Sequence, residues 1–310
     1  MQVLVTDSLG GYYTVPKLSR KIREAAIPAY IFRQFVSAKE EAIGKRKGQT
    51  VYWDQIAQLS TGGGKLTETA TVPSDSYKVV QKSGTISEYG NGIPWTEKLQ
   101  TLADFDVNDI HLRLLRNDYN KVLDSACATQ FKAGQLYAVC TTTSSTVFTT
   151  NGAATATASC SMSDKNVRDI VDYMVKKNIP KYGNGVDYMA IVSVNSKRGL
   201  YDYLEAKMQY TTPEYMFNNE VGRYYNTRFV EENAILSNSK GSGTQHGEAI
   251  FFGDDAVVEL LAIPEEIRWD PASDLGRSRK AGWVAETEWV KPWDYSTNTE
   301  EHIIYVTSGG

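Results

Sequence analysis

Residues 86–107 read ISEYGNGIPWTEKLQTLADFDV, and the run they lead into decides the fold. Downstream, Leu112, Leu115, Tyr119, Val122 and Ala126 recur every three or four positions. Val107, Ile110 and Leu114 make a second stripe beside them. That period is helical. Asp104 or Asp106 can cap the start, and the pattern runs to Phe131 and stops at the helix-ending Gly134. The expected helix is nearly 30 residues, about 43 Å at 1.5 Å per residue. A mean globular helix has about 11–12 residues, so this one is a spine. Gly90, Asn91, Gly92 and Pro94 upstream are breaker residues, expected to end the strand before it.

That strand closes a unit over 49–98. QTVYWDQIAQLS (49–60) is strand-like, with Val51, Trp53 and Ile56 supplying bulk. Thr61-Gly62-Gly63-Gly64-Lys65 is a turn signal, and Thr67 to Thr71 with YKVVQKSGTISEY (77–89) read as the returning strand. The result is a long, polar-rich hairpin. A lone two-stranded hairpin is marginal in water, and its edges invite pairing. It is expected to lie over something else, either its own domain or another molecule.

The first 48 residues hold nine basic and four acidic side chains, net +5, leaving −9 on the remainder. Pro16 and Pro28 punctuate two expected helical pieces, near 17–27 and 29–43, which Gly44 and Gly48 close. The segment reads as a solvated helix face or as an arm docking on an acidic surface, possibly another copy of the chain.

After the spine, TTTSSTVFTTNGAATATASCSMS (141–163) is expected to be a surface hairpin turning at Asn151-Gly152. Ser163 caps a helix carrying Val167, Ile170, Val171 and Met174, with Lys176 and Lys177 at its end and Pro180 beyond. Tyr188 to Val194 is a short buried strand, Ser196 to Met208 a helix, and Arg228 to Leu236 another strand. Ser237 to Gly247 is a loop. The last 57 residues return to β structure, with Trp283, Ala285, Thr287 and Trp289 on one face. Trp293 joins two of these to form a packed wall. The fold class is α+β.

Composition narrows the function. The 310 residues make one large domain or two ordinary ones. With 41% hydrophobic and 23% charged residues they can bury a core. A net charge of −4 argues against a basic nucleic-acid binder. No 18-residue apolar run is present, and MQVLVTDSLGG lacks the features of a signal peptide. Cys127, Cys140 and Cys160 are too few for a disulfide framework and read as reduced, buried thiols. Gly64-Lys65 is not a phosphate loop, because Leu59 and Leu66 stand where glycine and Ser/Thr are needed. His246 and Glu248 lack the P-C-x-x-C that a zinc deaminase requires. Asp254-Asp255 and Glu265-Glu266 read as solvated charge. No catalytic, metal or cofactor site is expected, and the chain is not read as an enzyme.

The order of these parts is basic arm, polar hairpin, spine helix, α/β unit and returning strands. It resembles the major capsid proteins of tailed bacteriophages, the Hong Kong 97-type coat fold, over essentially the whole chain. Residues 86–107 look like that family's entry into its spine helix. Asp274-Leu275-Gly276-Arg277 followed by Ala281-Gly282-Trp283 looks like its D-x-L-G-x…V-G-W element, with Ala281 where valine is usual.

The resemblance implies an N-terminal arm over 1–48, making contacts through Arg20, Lys21, Arg23 and Arg33. It implies an extended loop over 49–98, whose inter-subunit residues would be Trp53, Ile56, Leu59, Gly62, Gly63, Gly64, Lys65 and Leu66. Residues 99–135 with 254–310 would be a peripheral domain. Residues 136–253 would be an axial domain with Lys240, Gly241, Ser242 and Gly243 in its axial loop.

The implied partners are copies of itself in hexamers and pentamers, tiling an icosahedral shell around double-stranded DNA held without sequence specificity. A scaffolding protein during assembly, a portal at one vertex and a decoration protein belong to the same picture, with no cofactor and no membrane. The implied location is the virion, assembled in the bacterial cytoplasm. Lys65 sits where some capsids of this fold carry a crosslinking lysine, but no sequence rule fixes a partner asparagine, so neither a crosslink nor its absence is assigned. Two other readings stand beside this one. A cellular nanocompartment shell shares the fold, and a tail-tube or adhesion protein fits the Thr/Gly-rich strands but not the spine helix.

Overall fold

Asp106 turns its carboxylate onto the backbone N–H groups of Asn108 and Asp109, at 3.0 and 3.3 Å. This N-cap starts a helix of 26 residues, Val107–Lys132, close to the length expected. The structure is a computed structural model that describes residues 30–42, 48–56, 59, 64–69, 71–72, 74–103, 106–208, 222–236, 246–271, 274–298 and 300–309.

In chain order the first strands are β1 (Ser37–Ala42), β2 (Thr50–Ile56), β3 (Val79–Thr85) and β4 (Ser87–Thr96). Helices α1 (Glu97–Leu102) and α2 (Val107–Lys132) follow. Then come β5 (Leu136–Thr142), β6 (Ser145–Thr149), α3 (Asp164–Lys176), β7 (Tyr188–Val192) and α4 (Val194–Met208). The chain continues through β8 (Arg223–Tyr224), β9 (Thr227–Glu231), β10 (His246–Phe252), β11 (Val258–Trp269) and β12 (Ser278–Val290). It ends with α5 (Tyr295–Asn298) and β13 (Ile303–Gly309).

The described residues form three sheets, in the orders β1-β11-β12-β4, β6-β5-β13-β10-β7-β9-β8 and β2-β3. Along β12, Ala281, Trp283, Ala285, Thr287 and Trp289 are buried while their alternates are not, as the sequence pattern predicts. The spine α2 packs on this wall through Leu115, Leu123 and Phe131. Asp118 accepts the indole N–H of Trp283 at 2.9 Å. The large sheet is buried on both sides. Ile250, Phe252, Ile303 and Tyr305 face the spine, while Ala249, Phe251, Ile304 and Val306 face α3 and α4. Asn166 closes a capping box with Ser163 and also donates to Thr142 O, Ser145 O and Thr146 Oγ1, tying α3 to the β5–β6 hairpin. Among the described residues no helix is long and apolar enough to cross a membrane.

Several local expectations are corrected. The helix expected near 29–43 is instead a short 3-10 turn, Phe32–Phe35, followed by β1 pairing parallel with β11. Tertiary ladder bonds outweigh a weak helical preference. The piece near 17–27 lies outside the described residues. The returning strand of the hairpin breaks at Ile86, and β4 leaves β3 to pair antiparallel with β12. Gly90, Asn91, Gly92 and Pro94 therefore lie inside a strand. Pro94 is tolerated because β4 is a sheet edge.

The β5–β6 hairpin turns at Thr143 and Ser144, not at Asn151-Gly152. The latter pair makes the turn that leaves β6, with Gly152 at φ +75° and its N–H on Gln135 O at 3.0 Å. The strand expected to reach Leu236 stops at Glu231, because the Glu232 carboxylate gathers the N–H groups of Ala234, Ile235 and Leu236. His246 and Gly247 belong to β10 rather than to the preceding loop.

Candidate assembly surface

The β2–β3 ladder places Val51 opposite Gly84, Trp53 opposite Lys82, Gln55 opposite Val80, and Ile56 opposite Val79. Alternate side chains point to opposite faces. One face is pressed onto the chain's own body. Val51 joins Ile86, Val258 and Leu260 in a small core with Trp53 and Val290 at its margin. The buried Gln55 amide donates to Pro292 O at 2.7 Å. Lys82 pairs with Asp294 at 3.3 Å. Burial pushes Asp294 up, but the Ser296 N–H and hydroxyl, with Lys291 and Lys82 nearby, hold its carboxyl below the usual range. A Cβ on Gly84 would lie 2.5 Å from Leu260 Cδ1 and 2.7 Å from Val290 Cγ2, so glycine is what lets the hairpin lie this close.

The other face is open. Tyr52, Ile56 and Val79 are exposed, Ile56 to 67% and Val79 to 49%. Further along the arm Leu59, Leu66, Val72 and Tyr77 are exposed as well. A monomer rarely leaves so much apolar side chain in water along one thin element. Where the arm meets the body, a cleft of about 440 Å³ opens, lined by Trp53, Val258, Leu260, Pro292 and Trp293 among others.

A second anchor ties the residues before β1 to the spine and to β11. Asp124 on α2 is buried, and its two carboxylate oxygens accept the backbone N–H groups of Arg33 (2.9 Å) and Ile31 (3.2 Å). Burial raises its pKa despite those bonds. Phe32 is thereby seated against Phe131, ring centroids 5.7 Å apart. The Arg33 guanidinium then spans Glu259 at 2.9 Å and Glu265 at 3.1 Å, both on β11. Glu265 is thus paired rather than merely solvated.

The residues singled out from sequence fall as follows. Trp53 is half-buried against its own chain, while Ile56, Leu59, Gly64, Lys65 and Leu66 are exposed on the arm. Arg33 is held by carboxylates of its own chain. Gly62, Gly63, Arg20, Lys21, Arg23 and the segment of Lys240, Gly241, Ser242 and Gly243 lie outside the described residues. Tyr52, Val72, Tyr77 and Val79 were not singled out from sequence. Strand parity could have found Tyr52, because even-numbered β2 residues share the face of Ile56, whereas Val79 joins that face through the β2–β3 register that sets it opposite Ile56. Among the described residues no group of three His, Cys, Asp or Glu side chains could hold a metal.

No family model and no curated protein matches the chain in sequence. Solved structures do match. The chain is similar to one from the head of Helicobacter pylori bacteriophage KHP40, with a TM-score of 0.73 and 12% identity over 99% of this chain and 98% of that one. It is similar to one from the acid-stable capsid of Helicobacter pylori bacteriophage KHP30, with a TM-score of 0.71 and 13% identity over 100% and 99%. A chain of the Ralstonia phage GP4 capsid gives 0.67 and 13% identity over 100% and 98%. This chain has the phage coat fold.

The Hong Kong 97-type coat fold thus persists here where few residues are shared. What carries it is the burial pattern: the alternating β12 wall, the 26-residue spine laid across it, and a large sheet buried on both sides. Those features need apolar side chains of suitable size at fixed periods, a requirement many sequences meet.

Proposed function

We propose that this chain is a major capsid protein. Its copies assemble into hexamers and pentamers and close an icosahedral shell around packaged double-stranded DNA. The observation that carries the proposal is the apolar face of Tyr52, Ile56 and Val79, turned away from a body to which the opposite face is fastened. The arm, 49 to about 86, is the extended loop and lies over a neighbouring subunit. Strand β4 belongs with the peripheral part (99–135 and 254–310), residues 136–253 form the axial part, and 1–48 form the N-terminal arm.

Head-to-tail contacts of this kind close into rings when the rotation closes. Interfaces that are obligate bury about 2,000–5,000 Å², and many such contacts per shell add avidity, so none needs to be strong alone. The net charge of −4 fits a wall that does not trap the packaged phosphate backbone. Scaffolding, portal and decoration proteins, assembly in the host cytoplasm and residence in the virion belong to the same reading.

Electron microscopy of the purified protein is the test. Closed shells tens of nanometres across are expected, containing DNA when recovered from infected cells. Particles loaded with an enzyme instead would transfer the fold to a nanocompartment. A chain that stays monomeric across protein and salt concentration would overturn the proposal.

A further inference from the structure

Two of the three thiols, Cys140 and Cys160, are brought together by the fold. Cys140 lies on β5, wholly buried in the core beneath α3. Beyond Val139, which pairs with Thr307, β5 has no further partner on β13. The segment at 159–160 takes that place. Ser159 N donates to Cys140 O at 3.2 Å, Ser159 Oγ donates to Thr141 O, and Gly309 N donates to Cys160 O at 2.7 Å. Cys160 is therefore wedged between the ends of β5 and β13. Its side chain packs against the same core, with Sγ 3.7 Å from the Cys140 carbonyl oxygen. That oxygen is roughly 2.4 Å from the Cys140 Cα, and the Cys160 Cα is roughly 2.8 Å from its own sulfur by standard covalent dimensions, so the two Cα atoms are within roughly 9 Å of each other. A disulfide spans about 4.4–6.8 Å between Cα atoms, so the bridge closes with a shift of at most about 2 Å of the 159–160 segment toward β5.

We propose that Cys140 and Cys160 form a redox-closable pair, converted by a small-molecule disulfide into an intramolecular bridge that pins the 153–163 segment to β5. The half-exposed Cys160 is the entry thiol and the buried Cys140 the resolving one. The Cys160 thiolate attacks one sulfur of oxidised glutathione, the S–S bond breaks, and one glutathione leaves and takes up a proton. Cys140, losing its proton to water, then attacks Cys160 Sγ and expels the second glutathione. Two protein thiols are oxidised and one small disulfide is reduced. Burial pushes both thiols up, Cys140 further still with Cys160 beside it, so closure is slow near neutral pH and faster in mild alkali. The inference rests on the geometry of one chain and holds whatever that chain assembles into.

The test treats the full-length protein with oxidised glutathione at about pH 8.5, then alkylates the remaining thiols under denaturing conditions and maps the peptides. The expected result is loss of two alkylation sites per chain, a linked Cys140–Cys160 peptide pair, and full alkylation of Cys127, which sits in the other core. The chain runs as a monomer on a non-reducing gel. In Cys160→Ser, Cys140 stays fully alkylatable. Three free thiols in the oxidised wild type, a stable glutathione adduct on Cys160, or linkage to another chain would each overturn the pair.

Discussion

Ile56 and Val79 stand opposite one another across the β2–β3 ladder, and both face water. In the free subunit the pair gains little, so Ile56→Lys should leave subunit stability within about 0.5 kcal/mol. Covered by a neighbour, the isoleucine contributes about 1.5–3 kcal/mol. The substitution should therefore weaken each arm contact roughly ten- to a hundredfold and raise the concentration needed for assembly at least as much. Thermal melting of the subunit and sedimentation of the assembly reaction read the two effects separately. Assembly at the wild-type concentration would count against the arm.

Gly84 makes the complementary case, because its effect is within the chain. A valine there meets Leu260 and Val290, which are already packed under the hairpin. Overpacking of this sort costs about 1–3 kcal/mol. Gly84→Val is expected to lift the base of the arm and expose the Gln55–Pro292 bond. Earlier proteolysis within residues 49–86, with the body intact, is the readout.

The spine and the β12 wall were legible because each rests on a period in neighbouring residues, and α3 because Ser163, its apolar stripe and its terminal lysines agree. Arg33 was not legible. Its partners Glu259 and Glu265 are 226 and 232 residues away, and only the fold brings them to it. The fate of β4 was hidden for a related reason. Gly90, Gly92 and Pro94 break a strand locally, yet an edge position beside β12 absorbs them. On the arm, grouping Ile56 with Val51 and Trp53 by bulk concealed that it has the opposite parity. The arm's outward face was therefore readable only by counting in twos.

Asp124 fastens the start of the described chain to the spine. Replacing it with alanine leaves the Ile31 and Arg33 N–H groups without their acceptors, a loss of about 1–3 kcal/mol for a buried donor. Asn keeps one acceptor oxygen and should be milder. The expected order of Tm is wild type, then Asp124→Asn, then Asp124→Ala. Proteolytic cleavage near residue 30 should rise in the same order. Equal effects of the two variants would mean that the two N–H contacts contribute little.

His302 sets a pH dependence. Its ring lies against Trp293 at 5.2 Å, and Nδ1 is 2.6 Å from Asp254 O, so the neutral ring carries its proton there. Burial holds its pKa below the usual 6.5, against smaller upward pulls from the Asp254 carbonyl, Asp255 and Glu300. As pH falls, the unfolded chain takes up this proton first. The stability His302 contributes is complete above its unfolded value and is lost as pH falls through the lower folded one. Asp124 and Glu301 run the other way. Burial raises both, so their contribution is present in acid and lost as pH rises through their folded values. They are common to wild type and variant and cancel in a comparison. Between about pH 7.5 and 5.5, the window around an ordinary histidine, wild type should therefore lose more Tm than His302→Gln. Parallel Tm curves for the two proteins would remove His302 as the source.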